Sequence, residues 1–119
     1  MSTEDETRWA PVELRAPEGA RVMEIDWADG VTTRYRHVIL RGFCPCAHCQ
    51  GHHGPVQWVG APDERGLELA GISEVGNYAI QLTWGDGHAS GIYSFRYLRE
   101  LAEVGEADVQ DVETMRFAR

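Results

Sequence analysis

The sequence predicts an α+β domain: a small, mainly antiparallel β-sheet, one principal helix near the C-terminus, and a cysteine-rich loop. Three observations carry this. Residues 22–30 and 78–87 both alternate apolar and polar side chains and both end in Trp-x-Asp-Gly. Phe95, Leu98, Leu101 and Ala102 recur at helical spacing. All three cysteines, Cys44, Cys46 and Cys49, fall within six residues.

The elements follow in chain order. Residues 12–15 are a first strand. Residues 22–27 read as a half-buried strand by their period of two, and Asp29-Gly30 supplies the positive φ of a tight turn. Val31-Thr32-Thr33-Arg34-Tyr35-Arg36 returns as the partner strand. A short helix or turn spans 36–40. Residues 57–59 and 67–75 are further strands, and Gly71 marks a bulge in the second. Residues 78–84, Asp86-Gly87 and Ala89-Ser90-Gly91-Ile92-Tyr93 repeat the hairpin device. This echo is too short to be a solenoid repeat. Ser94 caps a helix over 95–104 that Gly105 stops. Trp27 and Trp84 are expected in the core, with Arg96 and Arg99 on the outer face of the helix. Residues 1–10 and 105–119 read as tails around a domain of 11–104; the second tail is acidic, and either disordered or a short helix.

Composition narrows the function. A chain of 119 residues fits one domain, and 43% hydrophobic with 25% charged residues is a soluble composition. The net charge is -8 and every basic residue is Arg, so the basic patch of a nucleic-acid binder is missing. No apolar run approaches the roughly 18 residues of a membrane helix. The first residues, Met1-Ser2-Thr3-Glu4-Asp5-Glu6, lack the basic and apolar regions of a secretory signal. A cytoplasmic protein whose partner is another protein, with neither nucleic acid nor membrane, is the expectation.

The three thiols of Cys44-Pro45-Cys46-Ala47-His48-Cys49 cannot all be paired by disulfides within the chain, but they can converge on one metal ion. Thiolate suits zinc or iron–sulfur iron. A tetrahedral site needs a fourth donor. His48, between two ligands, would strain the loop. His52 and His53 are near enough to close the site locally. His88, beside the second Asp-Gly turn, would be rigidly held and would tie two distant segments together. His37 is the weakest candidate.

Three stretches resemble a known family: Leu40-Arg41-Gly42-Phe43-Cys44-Pro45-Cys46-Ala47-His48-Cys49, Val75-Gly76-Asn77-Tyr78-Ala79-Ile80, and Trp84-Gly85-Asp86-Gly87-His88-Ala89-Ser90-Gly91-Ile92-Tyr93-Ser94-Phe95-Arg96-Tyr97-Leu98-Arg99. The resemblance is to the gamma-butyrobetaine hydroxylase-like N-terminal domain, over about residues 11–103. It implies a structural zinc ion held by Cys44, Cys46, Cys49 and His88, and it carries over none of His48, His52 and His53. It also implies that oxidation belongs to a separate 2-oxoglutarate/iron domain, whose His-x-Asp or His-x-Glu motif occurs nowhere in this chain. Related domains fused to ATPases of the iron–sulfur carrier type suggest a second role.

The resulting expectation is a non-catalytic Cys₃His zinc domain acting as a protein-interaction or accessory module. The alternative is an accessory protein for iron or an iron–sulfur cluster, using the same thiolates. A redox pair of Cys46 and Cys49 is the third reading, and it lacks the βαβ context of thioredoxins. Asp86 is either a partner of His88 or a turn residue.

Overall fold

The structure, a computed structural model, describes residues 10–51, 54–60 and 63–118. Strands β1 (Pro11–Arg15), β2 (Val22–Trp27) and β3 (Thr32–Arg36) form an antiparallel sheet in that order, and helix α1 (His37–Gly42) follows directly. The short helix α2 (Ala47–Gln50) and strand β4 (Val56–Gln57) come next. After a 3₁₀ turn at Glu64–Leu67, strands β5 (Leu69–Val75), β6 (Ala79–Trp84) and β7 (Gly91–Ser94) form a second antiparallel sheet, followed directly by helix α3 (Phe95–Leu101). A 3₁₀ turn at Ala102–Val104, helix α4 (Val109–Val112) and strand β8 (Arg116–Phe117) complete the fold. β8 pairs with β4 as a third, two-stranded sheet. The α+β class and antiparallel pairing are as expected, although the strands divide among three sheets.

Strand alternation explains the core. Met23, Ile25 and Trp27 of β2, and Ile80, Leu82 and Trp84 of β6, all point inward. Both Asp-Gly turns have one geometry. Trp27 N donates to Val31 O and Gly30 N to Trp27 O; Trp84 N donates to His88 O and Gly87 N to Trp84 O. Gly30 and Gly87 sit at φ +87° and +92°, a region open to glycine and strained for other residues. The bulge expected at Gly71 is present, as a register shift between Leu69 and Gly71. A matching shift falls between Pro11 and Glu13 in β1.

The short echo in the sequence therefore extends to a whole unit of three strands and a helix. β1–β2–β3–α1 and β5–β6–β7–α3 are two copies of one unit, and each lays its helix against the other's sheet. Tyr35 Oη of β3 donates to Leu98 O of α3 (2.7 Å), and Tyr93 Oη of β7 donates to Leu40 O of α1 (2.6 Å). Trp27 meets Phe95 edge-on at 5.9 Å, and Trp84 meets His37 edge-on at 5.7 Å.

Three local expectations change. Ser94 does cap α3, accepting from Tyr97 N, but Gly105 is not a left-handed stop. Its φ is -57°, and a Cβ there would lie 2.0 Å from Arg34 O, so it is close approach of backbone that requires glycine. Arg99 is not on an outer face: it grips Asp29 through both guanidinium nitrogens (3.1 and 3.0 Å) and stacks over Trp27. Arg96 is exposed as expected. Finally, residues 105–118 hold a short helix, one of the two expected outcomes, but they are no tail: they pack on the body and bury Val112 and Phe117 in the core. Residues 1–9 of the expected N-terminal tail lie outside the described residues. Among the described residues, no helix is long and apolar enough to cross a membrane.

Candidate metal centre

The cysteine loop leaves the end of α1 at Phe43, which is fully buried. Cys44 is buried beneath it. Cys46 is the N-cap of α2, its Sγ accepting from Cys49 N at 3.4 Å. Gln50 anchors the turn from outside. Its Nε2 donates to Cys44 O and Gln57 O, and its Oε1 accepts from Gln57 N, all at 2.9 Å. These bonds fix the loop against β4 through groups independent of the thiols.

His88 arrives from the other unit. The β6–β7 turn holds its backbone, and Asp86 Oδ1 accepts from His88 N at 3.1 Å. Arg41 of α1 in turn binds both carboxylate oxygens of Asp86 (3.1 and 3.0 Å) and Gly66 O (3.0 Å). Asp86 thus supports the backbone of His88 and joins its turn to the helix that leads into the cysteines. The Arg41 guanidinium and the His88 amide hold its carboxyl below the usual 3.8.

Four donors converge. His88 Nε2 lies 3.4, 3.7 and 3.6 Å from the Sγ atoms of Cys44, Cys46 and Cys49, and all four donor atoms lie within 4.8 Å of one another. With Zn–S of about 2.3 Å and Zn–N of about 2.0 Å, a regular tetrahedron has an S···N edge of about 3.6 Å. The spacing therefore fits one tetrahedral ion. Burial pushes the Cys44 thiol up to about 12 and also raises Cys49, and the adjacent thiols add to both shifts. Thiols in this setting resist ionising together unless a cation supplies the compensating charge. A bound dication would do so and release their protons.

The structure thus brings together Cys44, Cys46, Cys49 and His88. His37 lies elsewhere, its Nδ1 donating to Leu67 O and its ring against Trp84. His52, His53 and the His48 side chain lie outside the described residues. Sequence reasoning missed Arg41. A signal existed: after each Trp-x-Asp-Gly comes a tyrosine and then an arginine with the same spacing between them, Tyr35 to Arg41 and Tyr93 to Arg99.

Residues 14–99 match the family described as gamma-butyrobetaine hydroxylase-like, N-terminal. The chain belongs to this family. No curated protein matches it. A crystal structure of a protein of unknown function from Acidithiobacillus ferrooxidans, of the DUF971 family, is 40% identical, with a TM-score of 0.64 over 81% of this chain and 96% of that one. Two solution NMR structures are 28% and 27% identical, with TM-scores of 0.67 and 0.64. They cover 93% and 86% of this chain, and 80% and 79% of their own.

Proposed function

We propose that the protein is a non-catalytic zinc domain. Cys44, Cys46, Cys49 and His88 hold the ion as a clasp between the two units, and the domain serves as an accessory or interaction module for another protein. The observation that carries this is the set of three S···N spacings of 3.4–3.7 Å, which suit a single ion. Iron–sulfur clusters spread their thiolate ligands over several irons, so the alternative use in cluster assembly or delivery fits this packing less well. Structural zinc closed by four protein ligands leaves no open position for substrate or water. A protein partner suits the surface beside the clasp, where Tyr78 and Ile92 are exposed and line a shallow groove with Pro45 and Tyr97.

The test is elemental analysis of anaerobically purified protein, with its absorption spectrum. About one zinc per chain in a colourless preparation is the expected result. A brown protein with iron and inorganic sulfide would establish the cluster reading instead. Metal-free protein that takes up neither zinc nor iron would overturn both.

A further inference from the structure

The duplication makes one unit a template for the other, and the template identifies a group that acts on the metal site. In the first unit, Trp27 Nε1 donates to Thr33 Oγ1 at 2.8 Å in the core. In the second, Trp84 is 1% exposed and its Nε1 has no hydrogen-bond partner. Buried donors are rarely left this way in native proteins. Nor does the neighbouring His37 accept from it; that ring's own Nε2 is likewise unpartnered.

Strand register shows what replaces the threonine. Ile25 pairs with Thr33 in the first unit, and Leu82 pairs with Gly91 in the second. Trp27 and Trp84 each lie two residues beyond the first member of these pairs, so Gly91 occupies the place of Thr33. The indoles are held alike. Trp27 meets an aromatic ring at 79° and Trp84 at 78°. A guanidinium lies over each, Arg99 at 5.2 Å and Arg41 at 5.9 Å. A Cβ built on Gly91 would lie 2.8 Å from Cys44 Sγ. Cys44 Sγ thus lies against the position where a side chain at Gly91 would begin, the position from which Thr33 meets the tryptophan in the first unit.

We propose that Trp84 Nε1–H is the hydrogen-bond donor to the Cys44 thiolate in the metal-loaded protein. This rests on the zinc reading above and deepens it. A neutral thiol is a weak acceptor, whereas a thiolate accepts a stronger, charge-assisted bond. A dication bound by three thiolates and a neutral histidine carries a formal charge of about -1, and an N–H aimed at one sulfur spreads that charge and tunes the ligand. Gly91 is the residue whose missing side chain leaves room for the sulfur. Trp84 is thus a positioning residue that acts on the metal through Cys44.

The test uses ¹⁵N-labelled wild-type protein titrated with zinc, and cobalt as a spectroscopic probe. On zinc loading, the Trp84 indole proton should move downfield and become protected from exchange, while the Trp27 indole proton stays in place. In Trp84→Phe the thiolate-to-cobalt charge-transfer band should shift and zinc affinity should fall about ten-fold. Trp27→Phe, which removes the matching donor in the other unit, should leave both unchanged. Zinc uptake with a stationary Trp84 proton, or a folded Trp84→Phe with wild-type affinity and cobalt spectrum, would overturn the hydrogen bond while leaving the zinc site standing. Wild-type protein that binds no zinc would overturn the zinc reading itself. If Trp84→Phe does not fold, the wild-type indole shift decides.

Discussion

The two units share a framework and differ at their tips. Each has an edge strand with a bulge, a Trp-x-Asp-Gly hairpin, a tyrosine reaching to the other unit's helix, and an aspartate gripped by the other unit's arginine. At the first tip the residue after the glycine is Val31, and Trp27 is satisfied by Thr33. At the second it is His88; Gly91 replaces the threonine, and the loop after α1 delivers three thiols. The loop after α3 carries no cysteine and instead packs its backbone on the first unit, with Arg36 N donating to Gly105 O at 2.7 Å. One end is thus closed by hydrogen bonds, the Arg99–Asp29 ion pair and ring contacts. The other brings together four side chains that could hold a metal ion. The difference teaches that the four candidate ligands are an addition to one end of a framework whose helices are exchanged between the units.

The largest expected effect tests this asymmetry directly. A structural zinc site is worth on the order of 10 kcal/mol of folding free energy. Strong chelation, or Cys46→Ser, should therefore lower the melting temperature steeply. Hydrogen exchange should rise first at the 44–51 loop and the β6–β7 turn, with the β2–β3 turn following. A melt indifferent to chelator, or equal loss of protection at both turns, would break the comparison.

Next comes Gly91→Ala. The added methyl would lie 2.8 Å from Cys44 Sγ, and overpacking of this kind costs about 1–3 kcal/mol. Zinc affinity should fall together with stability. The reverse change in the first unit, Thr33→Gly, should reduce stability alone. Equal zinc affinity in wild type and Gly91→Ala would mean the sulfur is not confined as described.

A smaller effect tests what the units share. Tyr35→Phe and Tyr93→Phe each remove one buried hydrogen bond to a helix carbonyl, worth about 1 kcal/mol. Denaturant unfolding of zinc-loaded protein should show similar losses for both. A loss confined to one would show that the exchange of helices is energetically one-sided.

The smallest effect concerns the two turn aspartates. Arg99 lowers the Asp29 carboxyl and Arg41 lowers that of Asp86, both from the ordinary 3.8. A carboxyl depressed in the folded state stabilises above its unfolded pKa, and that contribution is lost as pH falls through the folded value. Both are surface-accessible, so the contributions are small. NMR titration should place both carboxyls below 3.8, and Arg99→Gln should return Asp29 towards it without moving Asp86.

The sequence by itself determined what is local. The Asp-Gly turns, the alternating strands, the Ser94 cap and the bulge at Gly71 each depend on a few adjacent residues with definite backbone preferences. The three cysteines were legible as a metal-ligand candidate for the same reason. Spacing left the fourth donor open, and the family resemblance pointed to His88. Only the tertiary structure brought His88 against the three sulfurs, because that proximity depends on two segments about forty residues apart along the chain. It also decided that two similar hairpins are two whole units, that Arg41 and Arg99 cross between them, and that residues 105–118 close the core. Those outcomes depend on which faces are buried together, and the burial of one unit's helix on the other's sheet is written in no single segment.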